Sequence, residues 1–154
     1  MGLDQYLYAR KYLSPSEWIG KENNKQYEAV INAVSATSVV TDYLPSATVE
    51  VGVGYWRKAN AVHKWFVDNC QDGVDDCRQA HVSREALIVL RDIVQRILND
   101  RNLASELLPT QEGFFFGSTE YDEYYFGDLE ETVRIIDDAL SCGDEWTFAY
   151  QSSW

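Results

Sequence analysis

Residues 54–66, GYWRKANAVHKWF, carry the side chains best suited to holding an anion. Arg57 and Lys58 are adjacent cations, Tyr55 and Trp56 offer ring faces on which a base or sugar can stack, and Asn60 and His63 add hydrogen-bonding groups within the next turns. The alternation that ends at Trp56 is that of a strand and the spacing after Lys58 is that of a helix, so the two cations fall at a helix start. Unpaired backbone N–H groups there present about half a positive charge, and together with two basic side chains they make a competent anion site. The same residues have a purely structural reading, in which Arg57 and Lys58 are solvated, Trp56 is core and His63 is a satisfied surface histidine.

The stretch 113–126, GFFFGSTEYDEYYF, is the second candidate, with seven aromatic residues among fourteen. Thr119 reads as the cap of a final helix, so the Ser118 and Thr119 hydroxyls and the Gly117 backbone form a polar turn. Tyr121, Tyr124 and Tyr125 then lie near one side, and Glu120 and Asp122 toward the turn. Tyrosines joined by carboxylates that accept from ribose or base donors are a common way of holding nucleotide-sized ligands. Phe114–Phe116 read as core. In the structural alternative all the rings pack on a sheet and the hydroxyls only cap.

Reaction chemistry is thinly supported. Glu120, Asp122 and Glu123 offer carboxylates, but acidic first turns are ordinary partners of a helix dipole, and helical geometry sends positions 120 and 122 in different directions. Cys70, Cys77, His63 and His81 lack the short cysteine spacing of zinc sites. No nucleophile elbow, phosphate loop or HExxH motif is present. No catalytic residue, metal or cofactor is therefore expected.

The elements that must position these residues follow from periodicity. Residues 3–13 alternate Leu3, Gln5, Leu7 and Ala9 against Asp4, Tyr6, Tyr8 and Arg10, a strand with one aromatic face. Residues 14–26, with a proline and two asparagines, read as a loop, and 27–36 as a helix. TVEVGVGYW, 48–56, alternates strictly, and its glycines Gly52 and Gly54 leave one face bare, as a bulge or a close approach requires. Helices are predicted from about 57 to 70, from Ser83 to about Asp100 with Ser83 as cap, and from about Tyr121 to Leu140, stopped near Gly143. WTFAYQSSW closes the chain as an aromatic strand. The sum is one α+β domain over residues 1–154, a mostly antiparallel sheet carrying three to four helices.

The 154 residues are enough for a sizeable core, and no apolar run approaches the roughly 20 residues that span a bilayer. The odd count of three cysteines and a start without a secretory pattern fit a reduced, cytoplasmic protein. Net charge is −12, and between residues 120 and 145 ten acidic residues face one basic one, Arg134. Such a field disfavours direct binding of nucleic acid and suits either a solvated helix face or a basic protein partner.

MGLDQYLYARKYL, YWRKANAVHKWFVDN, GFFFGSTEYDEYYF and the terminal YQSSW resemble a family of small, mostly uncharacterised proteins encoded by tailed bacteriophages and prophages. The likeness runs through most of the chain and is interrupted around residues 15–47. It implies a setting, infection of a bacterium, and no functional residues. Three readings follow: sequestration of a nucleotide-derived host signal, inhibition of a basic host defence protein by the acidic face, or a small nucleotide-processing enzyme. The first joins the cations, the helix start and the rings, and is compatible with a homo-oligomer.

Overall fold

The computed structural model describes residues 2–16, 18–40, 43 and 45–154. In chain order the elements are β1 (Asp4–Leu13), α1 (Lys21–Ala33), β2 (Ala47–Arg57), α2 (Asn60–Cys70), β3 (Ala80–Val82), α3 (Arg84–Asn99), a 3-10 turn (Arg101–Leu103), α4 (Ala104–Leu107), α5 (Glu123–Leu140) and β4 (Thr147–Ser153). The strands form one antiparallel sheet in the order β2-β1-β4-β3, so the class is α+β as predicted. Edge strand β3 pairs with β4, Ala80 opposite Tyr150 and Val82 opposite Phe148. Three residues are too few to show an alternation, and β3 is absent from the sequence reading for that reason. Among the described residues no helix is long and apolar enough to cross a membrane.

The chain divides into two compact units, residues 1–9 with 52–154, and residues 10–51. In the larger one, the inward stripes of α2, α3 and α5 meet the inner face of the sheet. Phe66 stacks on Tyr150 with ring centroids 4.1 Å apart, and Leu87, Leu90, Val94, Ile97, Leu129 and Ile136 are fully enclosed. Helix α3 starts as its sequence predicts: the Ser83 hydroxyl accepts from the Ala86 N–H at 3.0 Å. Helix α5 does not. Its cap is Asp122, whose Oδ1 accepts from the N–H groups of Tyr124 and Tyr125 at 3.0 and 3.1 Å. A carboxylate satisfies two orphan donors, whereas Thr119, three residues earlier, accepts at its carbonyl from the Thr110 hydroxyl. At the other end Ser141, not Gly143, follows the last turn.

The two glycines of β2 have different reasons. A Cβ on Gly54 would stand 2.4 Å from Ile135 Cγ2 and 3.2 Å from Leu7 Cβ, whereas one on Gly52 would meet nothing within 4 Å. Gly54 is thus the close approach of α5 to the sheet. Gly54→Ala is expected to destabilise by about 1–3 kcal/mol through overpacking, and Gly52→Ala to be neutral or stabilising by roughly 0.5 kcal/mol, read from denaturant midpoints. Equal effects would refute this account of the contact.

In the smaller unit α1 begins at Lys21, six residues before the predicted start. The asparagines that suggested a loop are used by the helix. Asn23 accepts from the Ser14 N–H at 2.8 Å and donates to the Tyr12 carbonyl, and Asn24 donates to the Pro15 carbonyl. Side chains that compete with the backbone when exposed here tie the first turn to the preceding segment.

Candidate functional site

The chain leaves β2 and enters α2 through two residues, Lys58 and Ala59. Lys58 lies in the left-handed region at φ 62°, which costs a residue with a Cβ about 1 kcal/mol. Its N–H donates to the Leu3 carbonyl and its carbonyl accepts from the Asn60 N–H, each at 2.8 Å. The side chain passes between two glycines: a Cβ on Gly2 would be 3.5 Å from Lys58 Cε, and one on Gly117, itself at φ 94°, would be 3.1 Å from Lys58 Cβ. Larger residues at 117 would push the lysine aside. With Ala59 at the cap position, no side chain caps α2.

Asn60 is the first residue of α2 and is buried. Its Nδ2 donates to the carbonyls of Phe116 (3.2 Å) and Ser118 (2.8 Å), and its Oδ1 accepts from the Gln111 N–H (3.0 Å). One amide therefore fixes both limbs of the 110–118 loop. The loop is fixed to α5 as well: the Tyr121 hydroxyl accepts from the Thr110 N–H, and the Tyr125 hydroxyl donates to the Leu108 carbonyl. Arg101 pairs with Glu123 at 2.7 Å and lies 4.1 Å over the Phe126 ring, holding the first turn of α5.

Between these segments lies a cavity of about 350 Å³. Arg57, Lys58 and the first turn of α2 form one wall; Gly117, Ser118 and Glu120 of the loop, with Thr110, form the second; Asp122, Tyr124, Tyr125, Asp128 and Leu129 of α5 form the third. Two separate stretches singled out in the sequence therefore share one cavity. Arg57 and Lys58 make no ion pair among the described residues, whereas Lys64, Arg78, Arg84, Arg91, Arg101 and Arg134 all do.

Asp128 is the counterpart on α5. It is partly buried, and among the described residues no donor reaches its carboxylate. Burial, and then the charge of Asp122, push it from 3.8 up to about 6. The folded protein holds this proton more tightly than the unfolded chain, so Asp128 makes stability fall as pH rises from about 4 to about 6.

Of the residues expected at the site, Arg57, Lys58, Asn60, Ser118, Glu120, Asp122 and Tyr125 line the cavity. Asn60 does so as a structural clamp. The other four are placed elsewhere. Trp56 is buried, its Nε1 donating to Thr132 Oγ1 at 2.9 Å, because alternation along β2 turns it into the core. His63 is fully buried on α2: its Nε2 bonds to Asp75 Oδ2 at 2.9 Å and its Nδ1 to the Tyr150 hydroxyl at 2.8 Å. Tyr150 donates onward to Gln5 Oε1, Gln5 to the Ala59 carbonyl, and the Trp154 indole to Asp75 Oδ1. Thr119 lies in the irregular segment before α5, its carbonyl accepting from Thr110, and Tyr121 packs edge-on against Tyr125 from outside the cavity. Phe114 and Phe115 are exposed, at 83% and 45%, and only Phe116 is core.

Asp128 and Thr110 are polar cavity residues that sequence reasoning passed over, and the apolar Ala59, Ala61, Val62 and Leu129 line it too. Asp128 did carry a signal: it stands three residues after Tyr125 and four before Thr132, a carboxylate on an otherwise buried stripe. Among the described residues no three His, Cys, Asp or Glu side chains are grouped as metal ligands. Comparison of the chain with family models, curated proteins and solved structures gives no match.

Proposed function

We propose that the protein binds and sequesters a nucleotide-derived signalling molecule, in the setting of a phage countering host immunity that its sequence resemblance implies. The observation that carries this reading is the convergence on one cavity of charges without a partner among the described residues: Arg57 and Lys58 on one wall, the carboxylate of Asp128 on another. A ligand that satisfies both is anionic at one end and rich in N–H or O–H donors at the other, which describes a nucleotide. About 350 Å³ is at the small end of the roughly 300–1,000 Å³ of ligand cavities, and suits a single nucleotide better than two joined ones. Much of the acidic face that would mimic nucleic acid is engaged internally, Arg91 with Asp137 and Arg134 with Glu131 and Asp138.

Calorimetric titration with the four ribonucleoside 5′-monophosphates tests this. Binding is expected, and Arg57→Ala should weaken it by tenfold or more, since hydrogen bonds to charged groups contribute about 1.5–3 kcal/mol. Lys58→Gly should weaken binding too, while raising stability by up to about 1 kcal/mol as the left-handed strain is relieved. That pairing separates a binding lysine from a folding one. Failure of all four nucleotides to bind, or indifference to Arg57→Ala, would overturn the proposal. Recovery of a chemically altered nucleotide after incubation would turn it toward an enzyme, with Asp128 as the proton-accepting group.

A further inference from the structure

We infer that the cavity reads a guanine base, its ring laid on Tyr124 and its N1–H and N2–H groups donated together to the carboxylate of Asp128. The inference rests on the nucleotide reading above and names the ligand class of that same site. Tyr124 and Asp128 are four residues apart on α5, a spacing that places them one above the other on the same helix face, and both line the cavity. The neighbouring ring is already committed: Tyr125 is buried and its hydroxyl is given to Leu108. Tyr124 is 85% exposed, leaving its face available for a planar partner.

The carboxylate chooses among bases by its lone pairs. An ionised Asp only accepts, and a partly buried one without a donor is costly until a ligand supplies one. Guanine presents two adjacent donors on its Watson–Crick edge, matching the two oxygens of one carboxylate. Adenine and cytosine place an acceptor nitrogen beside their amino group, and uracil flanks its single N–H with carbonyl oxygens, so each sets a lone pair against the carboxylate. With the base on α5, the phosphate is directed to Arg57 and Lys58 across the cavity. The other charged or titratable groups that line it are Glu120 and Asp122 on the approach to α5 and the two tyrosines.

The test is calorimetry on the full chain at pH 7.5 with GMP, IMP, AMP and dGMP, repeated on Asp128→Asn. IMP lacks only the N2 amino group and dGMP only the 2′-hydroxyl. GMP and dGMP are expected to bind alike and at least about tenfold tighter than IMP and AMP, the usual consequence of deleting a hydrogen bond to a charged group. In Asp128→Asn the GMP-to-IMP ratio should fall to about one, with no loss of thermal stability, since a poorly solvated charge is removed at nearly constant volume. At pH 5 the same ratio should shrink in the unmodified protein, because a carboxyl raised to about 6 is then protonated; titration of the phosphate is common to both ligands and cancels. Equal binding of GMP and IMP overturns the inference while leaving the nucleotide reading intact, and a deficit of dGMP alone would assign the carboxylate to the ribose diol. Binding of none of these four overturns the inference, and if CMP and UMP also fail to bind the nucleotide reading falls with it.

Discussion

Asn60→Ala is expected to destabilise the protein by about 3 kcal/mol and to abolish ligand binding even under conditions where it remains folded. Asn60 is 4% exposed and makes three hydrogen bonds, to the carbonyls of Phe116 and Ser118 and from the N–H of Gln111. Each such bond contributes roughly 1 kcal/mol net, and a buried partner left without one costs about 1–3 kcal/mol. The loop these bonds hold contributes Thr110, Gly117 and Ser118 to the cavity and closes over Lys58. Asn60→Asp separates geometry from volume: it keeps the acceptor for Gln111 but turns an oxygen toward two carbonyl oxygens, so it should be no more stable than the alanine variant. Urea unfolding with an unchanged slope measures both. A cost below about 1 kcal/mol for Asn60→Ala would mean that the loop is held by something other than this amide.

Asp75→Ala is expected to cost a similar amount, about 3 kcal/mol, and to leave affinity for the proposed nucleotide untouched. Its carboxylate accepts from the fully buried His63 and from the Trp154 indole, joining α2 to the end of β4. The other ring nitrogen, Nδ1, bonds to the Tyr150 hydroxyl, which donates to Gln5 Oε1, and Gln5 donates to the Ala59 carbonyl. Removing Asp75 leaves the buried Nε2 of His63 without its partner. A buried polar group left without its hydrogen-bond partner costs about 1–3 kcal/mol, and here the Trp154 indole loses its acceptor as well. Removing His63 as well should cost less than the sum of the single changes, and a double-mutant cycle reads the difference. Full additivity would show that the two side chains are neighbours without coupling. Asn60 and His63, the partner of Asp75, are three positions apart on α2, and only Asn60 faces the cavity.

Much of this arrangement was legible from periodicity. Strict alternation in β1 and β2 and the apolar stripes of α3 and α5 placed those elements within a few residues, because in each the local pattern and the core agree. Reading failed where a side chain had two uses. Asn23 and Asn24 look like loop residues until their partners at Tyr12, Ser14 and Pro15 are seen. Trp56 and Tyr55 are equivalent as composition, yet alternation along β2 buries one and exposes the other. Thr119 and Asp122 are both respectable caps, and the choice between them depends on where the 110–118 loop is fixed. His63 looked like a surface group because its partners lie 12 and 87 residues away. Arg57, Lys58, Ser118, Glu120 and Asp122, expected at the site from the sequence, line the cavity, since solvent-facing polar groups at element ends need no distant partner to be recognised.

The burial of Trp56 has a spectroscopic consequence. Its indole is bonded to Thr132 Oγ1, which donates in turn to the backbone carbonyl of Asp128, so the ring stands directly behind the α5 wall without entering the cavity. Emission from this tryptophan reports how firmly that wall is seated on the sheet. A ligand that quenched it would be moving the wall, whereas one that fills the cavity without disturbing it leaves Trp56 dark to the event, and a fluorescence titration that shows no change is then no sign of an empty site.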